Sequence, residues 1–391
     1  MGIIKAMTGN TAAYTGAALC RPDLIAAYPI TPQSSVVEGL AGLVYNGKLD
    51  SSFVQVESEH SAMSVVQGAA AAGGRVFTAT SAQGLALMYE PYFRMSTLRI
   101  PMVMAIATRE MTSPETIWSG QQDAMSVRDA GWIQMFCETN QEILDMMIQG
   151  YMIAEDERVQ IPVNICYDGF YSSHLMEGLD VPSQEEVDAF LPAYSGYTYL
   201  DPGHPQALDP LTPGELMMKY RKNHLDAMEA ALDVIDEVDA KFAWHFGRSY
   251  GGCLEEYRCE DADVVLIAIG GMAGTGKDAV DAAREKGVKA GLIKLRFVRP
   301  FPAKRIARAL AGKKAFAVVD RSVCFGWSRG PMFVETRAAI ADVDEKFCHF
   351  SAIGGLGGAD LSFAHMAECI DKLEAMKNEP GEKEPVWLMA D

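Results

Sequence analysis

The chain has 391 residues, of which 49% are apolar and 22% are charged, and its formal net charge is −18. This composition is typical of a globular protein of two or three domains, and it excludes collagen-like repeats and wholesale disorder. No apolar run reaches the roughly 18 residues of a membrane span, and the N-terminus lacks the features of an export signal. Nucleic acid binds clustered Lys and Arg, which an acidic chain offers poorly. We therefore expect a cytoplasmic protein that binds neither membranes nor nucleic acid.

The first 190 residues alternate short apolar runs with helical patterns. The predicted strands are 24–30, 53–57, 75–80, 101–108 and 161–168. The predicted helices between them are 33–44, 60–72, 84–95 and 140–155. This alternation predicts an α/β domain over residues 1–190, with a parallel sheet covered on both faces.

The next segment, 191–255, opens with an arm in which proline alternates with tyrosine. The arm contains Pro192, Pro202, Pro205, Pro210 and Pro213, together with Tyr194, Tyr197 and Tyr199. Proline at this density favours an extended path, so the arm is either a linker or a wrap around a partner subunit. Thr212-Pro213-Gly214-Glu215 has the pattern of a capping box with Pro at the first helical position. This pattern predicts a helix that begins here and ends near residue 243.

A second β-α series predicts a second α/β domain over residues 256–377. Its predicted strands are 263–269, 288–295, 315–320 and 347–353. Its predicted helices are 274–286, 303–311, 331–342 and 361–377. The tail 378–391 is charged and contains proline, so we expect it to be loosely ordered, with Trp387 as its one possible anchor.

The chain has eight cysteines, at positions 20, 137, 166, 253, 259, 324, 348 and 369. No two of them form a CxxC pair, and none stands at metal-ligand spacing from a histidine. We therefore expect isolated buried thiols, and neither a metal site nor an iron–sulfur cluster held by this chain.

Two further segments are unusual. Gly271 to Lys277 resembles a phosphate-binding loop, but the next residue is Asp278, where such a loop needs Ser or Thr for Mg²⁺. We interpret the segment as a tight strand-to-helix turn.

The segment 284–314 holds eleven basic residues and a single acid, Glu285. It could face coenzyme A phosphates or an acidic partner, but we favour a solvated helical face.

Thr31 and Arg109 follow two of the predicted strands and could bind a small carboxylate. Thr31 precedes Pro32 at a predicted helix N-cap, where a hydroxyl and free N–H groups can bind an anion. The alternative for Thr31 is a plain helix cap. Arg109 directly follows the strand 101–108 and could bind a carboxylate through two N–H groups. The alternative for Arg109 is a surface charge.

Glu59 lies in a third segment of this kind, beside Glu57 and His60 at the end of a strand. A carboxyl group in a partly dry pocket can exchange a proton with a bound heterocycle. The alternative is that Glu59 only complements the dipole of the following helix.

Several motifs together resemble one family, the alpha subunits of the 2-oxoacid:ferredoxin oxidoreductases, as in multi-subunit pyruvate synthase. In the first domain the resemblance rests on Arg109 and on YPITPQ at 28–33, ESEHSAMS at 57–64, TATSAQGLALM at 78–88 and IW…DAM…RDAGWIQ at 117–134. In the second it rests on LRFVRPFP at 295–302, VVDRSVCFG at 318–326 and GGLGGAD at 354–360. It covers about the first 375 residues.

The resemblance implies a thiamine-diphosphate enzyme whose pyrimidine-binding domain lies in this chain, with a transketolase C-terminal-like second domain. Pro29, Ile30 and Glu59 would bind the cofactor, with Glu59 at the aminopyrimidine ring as the catalytic group. Thr31 and Arg109 would hold the substrate carboxylate. The implied reaction is oxidative decarboxylation of a 2-oxoacid with coenzyme A to an acyl-CoA and CO₂.

The chain lacks a GDG motif with a following Asn pair, and it lacks ferredoxin-type cysteine runs. The resemblance therefore implies a beta subunit with the diphosphate and Mg²⁺ site, and gamma and ferredoxin-like delta subunits, with [4Fe-4S] clusters on these partners. Electrons would pass to ferredoxin or to another acceptor. The alternatives are a non-redox transketolase-like or dehydrogenase component, and a non-catalytic assembly subunit.

One loop bears on the choice of substrate. Pyruvate-specific relatives usually carry Asn-Asp-His-Ser where this chain has Ser119, Gly120, Gln121 and Gln122. The smaller, less charged residues could admit a 2-oxoacid larger than pyruvate, such as phenylglyoxylate. If the loop faces solvent or a partner subunit, pyruvate is the substrate, and we slightly favour this second interpretation.

Overall fold

In a computed structural model of the chain, residues 3–196, 200–344 and 346–389 are described. Tyr197 and Tyr199 of the arm lie outside these ranges. The first part contains β1 (Ile3–Thr8), α1 (Gly9–Leu19), β2 (Leu24–Ala27), α2 (Ser34–Tyr45), β3 (Ser52–Gln55), α3 (Glu59–Ala71), β4 (Val76–Thr80), α4 (Ala82–Leu87), α5 (Tyr89–Thr97), β5 (Val103–Thr108), α6 (Gln122–Ser126), β6 (Ile133–Phe136), α7 (Asn140–Glu155), β7 (Val163–Asp168), α8 (Tyr171–His174), β8 (Met176–Val181) and α9 (Gln184–Phe190).

The second part begins with a long helix. It contains α10 (Gly214–Phe246), β9 (Leu254–Tyr257), β10 (Val264–Ala268), α11 (Met272–Glu285), β11 (Ala290–Leu295), β12 (Phe297–Arg299), α12 (Ala303–Leu310), β13 (Ala315–Asp320), α13 (Pro331–Ala339), β14 (Cys348–Gly354), α14 (Phe363–Met376), β15 (Gly381–Glu382) and β16 (Val386–Leu388).

The first sheet has the strand order β12-β6-β7-β5-β4-β2-β3. Strands β2 to β7 are parallel, which confirms the predicted parallel α/β fold, and β12 from the second part pairs antiparallel with β6 at the edge. Because β2 to β5 are parallel, the loops that follow them all leave at one edge of the sheet, which is where ligands bind in such folds.

The second sheet has the order β15-β14-β13-β10-β11-β9, with β16 also paired to β14. The four strands β10, β11, β13 and β14 are parallel, as predicted. The expectation of a loosely ordered tail is wrong, because β15 and β16 extend this sheet. Leu388 is buried while Trp387 stays half-exposed, so Leu388 anchors the tail.

The predicted capping box at the start of α10 is also wrong. The helix begins at Gly214, with Pro213 at the N-cap and no capping hydrogen bond from a side chain. The Thr212 hydroxyl instead donates to the Pro210 carbonyl at 2.8 Å. The arm before it touches the first part of the chain, since the Leu200 N–H donates to the Ala71 carbonyl at 2.9 Å.

The basic segment 284–314 is not a solvated helical face, so the interpretation we favoured is wrong. Lys294 and Arg296 are only 2% and 0% exposed, and both bind the Glu142 carboxylate of α7. Although burial acts to raise it, these two cations lower the pKa of Glu142 to about 2. Other cations of the segment pair with acids elsewhere in the chain: Arg284 with Asp261, Arg299 with Glu335, Arg305 with Asp236 and Lys314 with Asp263. The segment therefore connects the two parts of the chain through the buried ion pairs of Lys294 and Arg296 with Glu142.

Apolar side chains from both sheets form one continuous buried cluster. All eight cysteines are free thiols, as predicted, and only Cys324 is not fully buried. Among the described residues, no helix is long and apolar enough to cross a membrane.

Candidate functional site

The Arg109 guanidinium is the centre of a cluster at the carboxyl edge of the first sheet. Its side chain is buried, with 5% exposure. Nη1 donates to the Thr31 carbonyl at 2.7 Å, and Nη2 donates to Gln83 Oε1 at 2.9 Å. Nε is buried and has no hydrogen-bond partner among the described residues, and burial lowers the pKa of the group. Nη2 also lies 3.7 Å from the exposed Glu115 carboxylate. A buried cation with N–H groups that make no hydrogen bond can take up an anion.

Glu59 opens α3 behind an N-cap at Ser58, whose hydroxyl accepts from the Ser61 N–H at 3.2 Å. Glu59 as a whole is 5% exposed, and no hydrogen bond joins its carboxylate to another side chain in the described part of the chain. Burial raises the pKa of Glu59, against an opposing effect of its own backbone N–H. A helix-capping charge needs no such burial, so the site favours a proton-sharing role.

The first turn of α4 connects Glu59 to Arg109. Gln83 receives the Arg109 hydrogen bond. At the next residue, Gly84, a Cβ atom would lie 2.5 Å from both Glu59 Oε1 and Thr80 Oγ1. Thr80 Oγ1 is buried without a partner among the described residues. Glycine is therefore required at position 84 if Glu59 is to keep its place.

Thr31 lies beside Arg109, as the sequence predicted, but it is not an N-cap. Helix α2 begins three residues later at Ser34, and Gln33 occupies the N-cap without a side-chain hydrogen bond. The expected N-cap role of Thr31 is thus wrong, because the chain makes a turn in which the Gln33 N–H donates to the Ile30 carbonyl at 2.9 Å. Thr31 and Pro29 are exposed at the sheet edge, and Ile30 is partly buried.

The loop Ser119 to Gln122 lies between the two parts of the chain. Ser119 Oγ accepts from Arg321 Nη1 at 3.2 Å, and the Gly358 N–H donates to the Ser119 carbonyl at 2.7 Å. Gln121 Nε2 donates to Asp168 at 3.3 Å, and Gln122 Oε1 accepts from the Val323 N–H at 3.1 Å. Gly120 packs on Glu110, where a Cβ atom would meet the carboxylate. The loop is thus fixed by contacts within the chain, but Gln121 Oε1 is buried with no hydrogen-bond partner among the described residues.

Two acids beside Arg109, the buried Asp123 and the partly buried Glu110, were missed in the sequence. Asp123 is completely buried, and burial raises its pKa to about 7. Burial and the nearby Asp123 raise the pKa of Glu110 to about 7 as well. Nothing in the local sequence distinguishes these acids from exposed ones, because their burial depends on contacts with residues distant in the chain.

The segment Gly271 to Lys277 forms the predicted strand-to-helix turn between β10 and α11. The Lys277 amine is 3.0 Å from Glu138 and 2.9 Å from Glu255. It therefore joins the two parts of the chain and does not face a phosphate site.

Two protein families match separate ranges of the chain. The family described as "Pyruvate flavodoxin/ferredoxin oxidoreductase, thiamine diP-bdg" matches residues 15–240, and "Pyruvate:ferredoxin oxidoreductase core domain II" matches residues 262–366.

Two relatives are similar over nearly the whole chain. The alpha subunit of NADH-dependent phenylglyoxylate dehydrogenase from Aromatoleum evansii is 46% identical over 97% of this chain and 93% of its own. The pyruvate synthase subunit PorA from Methanothermobacter thermautotrophicus is 42% identical over 95% of this chain and 96% of its own.

Two solved structures share the fold. The 2-oxoglutarate:ferredoxin oxidoreductase from Magnetococcus marinus, solved with 2-oxoglutarate, coenzyme A and succinyl-CoA bound, has a TM-score of 0.74 at 19% identity. The match covers 94% of this chain but only 65% of that longer one. A split-gene transketolase, an inactive tetramer, has a TM-score of 0.55 at 10% identity, with 96% of this chain and 100% of that chain covered.

Proposed function

Because this chain belongs to the pyruvate flavodoxin/ferredoxin oxidoreductase family, we propose that Glu59 and Arg109 form its half of an active site shared with another subunit. The family match confirms the resemblance seen in the sequence, and the chain is an alpha subunit of a thiamine-diphosphate-dependent 2-oxoacid oxidoreductase. In this proposal residues 1–190 are the pyrimidine-binding domain, and 256–377 are the transketolase C-terminal-like domain, completed by the two tail strands.

The observation that carries the proposal is the buried Glu59 carboxylate facing a glycine. Gly84 leaves room for the carboxylate itself, because a Cβ there would lie 2.5 Å from Glu59 Oε1, and in the described part of the chain the carboxylate has no side-chain partner that a ring nitrogen would have to displace. A ring nitrogen needs a carboxyl group that can hold a proton, and burial raises the pKa of Glu59 toward that state. The residues present thus fit an aminopyrimidine, with Pro29 and Ile30 at the exposed side of the same edge.

When bound, thiamine diphosphate supplies the carbon that attacks the 2-oxo group and accepts the electrons left by decarboxylation. Glu59 contributes a proton shared with the pyrimidine nitrogen. Arg109 contributes a buried cation that the Thr31 carbonyl and Gln83 hold in one orientation, so that its free N–H groups can bind the substrate carboxylate. The exposed Thr31 side chain completes this carboxylate site.

The remaining parts of the enzyme are proposed to lie on partner subunits. These are a beta subunit with the diphosphate and Mg²⁺ site, and gamma and ferredoxin-like delta subunits, with the iron–sulfur clusters on these partners. Coenzyme A is the proposed acyl acceptor, and ferredoxin or another carrier is the proposed electron acceptor. The proposed location of the enzyme is the cytoplasm. Copurification of partner subunits that contain iron and acid-labile sulfide would support this assembly, and a purified active enzyme without iron would contradict it.

The test of the site compares Glu59→Gln with Glu57→Gln in the assembled enzyme. Glu57 lies two residues away but is exposed, so it is a matched control. Glu59→Gln should reduce turnover about 10²- to 10⁴-fold, the range for a positioned acid–base group, and should slow exchange of the cofactor C2 proton in parallel. Glu57→Gln should leave both rates unchanged. Unchanged C2 exchange in Glu59→Gln would contradict the assignment.

The substrate is proposed to be pyruvate, with an aryl 2-oxoacid as the second candidate. The contacts of Ser119, Gln121 and Gln122 inside the chain favour pyruvate, because a loop held in this way between the two parts of the chain is not free to widen a substrate pocket. The second candidate is favoured by the 46% identity to the phenylglyoxylate dehydrogenase subunit. Values of kcat/KM for pyruvate, 2-oxobutyrate and phenylglyoxylate decide between them. A preference for pyruvate above about tenfold, which is 1.4 kcal/mol, rejects the larger substrate, and the opposite order rejects pyruvate.

A further inference from the structure

The Asp123 carboxylate gathers three backbone N–H groups from separate places in the chain. Oδ2 accepts from the Ala82 N–H at 2.9 Å and from the Arg109 N–H at 3.1 Å. Oδ1 accepts from the Ala124 N–H at 2.8 Å. Asp123 is completely buried, so no water competes for these bonds.

Two of these donors belong to the segments that hold the proposed site. Ala82 opens α4, one residue before Gln83 and two before Gly84, and it has a positive φ of 41°. A non-glycine residue holds such a backbone conformation only when its surroundings fix it. Arg109 is the first residue after β5. A single oxygen atom thus fixes α4 and Arg109 relative to each other.

We propose that Asp123 is a positioning residue that holds Arg109 and the first turn of α4 in register, and that it thereby sets the affinity for the 2-oxoacid carboxylate. Asp123 acts through its neighbours and does not touch the substrate. The effect on affinity rests on the proposed function of Arg109, whereas the effect on backbone order does not.

The arrangement requires a carboxylate. An Asn side chain has one acceptor oxygen, and its NH₂ group would face one of the three N–H donors. The charged and ionisable groups around Asp123 are Arg109, Glu110 and Cys166. Since Arg109 also attracts the carboxylate, substitution by Asn removes both a hydrogen bond and a favourable charge contact.

The test compares Asp123→Asn with Asp239→Asn in the assembled enzyme. Asp239 is a matched control because it is 6% exposed and accepts three backbone N–H bonds, from Tyr250, Gly251 and Gly252, away from the site. Both variants lose a buried carboxylate, so a general loss of stability affects both. Only Asp123→Asn should raise KM for the 2-oxoacid, by about tenfold, because a displaced Arg109 makes weaker charge-assisted hydrogen bonds to the substrate carboxylate. Asp239→Asn should leave KM within about twofold.

Amide hydrogen exchange supplies a measurement that does not depend on turnover. In the wild type the N–H groups of Ala82 and Arg109 should exchange slowly, and in Asp123→Asn they should exchange at least about tenfold faster. The Asp239→Asn variant should change exchange at 250–252 instead. Fast exchange of Ala82 and Arg109 in the wild type overturns the proposal even if the variant fails to fold. An unchanged KM in a folded Asp123→Asn enzyme also overturns it. If no 2-oxoacid is turned over by the wild type, the proposed function fails, while hydrogen exchange still tests the positioning role.

Discussion

Replacement of Gly84 by alanine tests whether the position of Glu59 matters. The added Cβ would lie 2.5 Å from Glu59 Oε1 and 2.8 Å from Glu59 Cγ, whereas ordinary contacts begin at 3.4 Å. One of the two groups must therefore move by about 0.9 Å, the difference between these distances. A misplacement of about 1 Å can cost a hundredfold in rate. We expect Gly84→Ala to lower kcat by about that factor.

The same substitution at Gly68 is the matched control. Gly68 lies in α3, the helix that carries Glu59, and a Cβ there would meet nothing within 4 Å. Alanine in an open helical position stabilises a protein by about 0.5–1 kcal/mol. At Gly84 the same gain is opposed by overpacking, which costs about 1–3 kcal/mol. The Gly68→Ala variant should thus have a slightly higher melting temperature than the wild type and the same turnover.

The assay measures 2-oxoacid-dependent reduction of an artificial electron acceptor by the assembled enzyme, with thermal melting of each variant alongside. A Gly84→Ala enzyme with kcat within about threefold of the wild type would refute the reasoning, because the displacement would then have no consequence for Glu59. The reasoning would also be refuted if the loss of activity disappeared once activity is expressed per folded molecule. The substitution would then act on stability alone.

Two other predictions concern the second domain. Lys277→Ala should reduce stability by about 1–2 kcal/mol, because the amine joins Glu138 and Glu255 in a partly buried ion pair. The turnover of this variant should stay within about twofold of that of the wild type. If ATP raises the melting temperature of the wild type but not that of the variant, the phosphate-loop interpretation is restored. The Asp320 carboxyl accepts from the N–H groups of Met332 and Phe333, and burial raises its pKa from 3.8 to about 7. The folded state therefore holds this proton more tightly than the unfolded state, and its contribution to stability is lost as pH rises from about 4 to 7. The melting temperature of Asp320→Asn relative to the wild type should increase between pH 5 and pH 8, and a constant difference would contradict the burial argument.

The elements that the sequence predicted well are those whose signals are local. Helix α7 runs from Asn140 to Glu155, as predicted, because the Thr139 cap and a long apolar pattern mark it. The positions of Thr31, Glu59 and Arg109 near strand ends were also predictable, since buried parallel strands read as apolar runs with polar residues after them. Only Arg109 directly follows its strand, whereas Thr31 and Glu59 lie four residues beyond β2 and β3. Their meeting at one edge follows from parallel topology alone.

The features that sequence reasoning missed or misjudged depend on distant contacts. Strand β12 joins the sheet of the other domain, and no local pattern announces that pairing. The sequence favours a solvated basic segment because its acidic partners, such as Glu142, lie far away in sequence. Thr31 was assigned as a cap from the order Thr-Pro, but the following residues form a turn before the helix. In each case tertiary structure overrode a local preference.

The same distinction explains where the site is vulnerable. Glu59 and Arg109 carry the proposed chemistry, but neither is held in place mainly by its own sequence neighbours. Glu59 depends on the absence of a side chain at Gly84, and Arg109 depends on Gln83 and Asp123. Gln83 and Gly84 are adjacent in α4, so a shift of this single helical turn disturbs the carboxylate site and the proton-sharing group together. Substitutions in α4 should therefore change KM and kcat jointly, whereas a change of Glu59 alone should act on kcat.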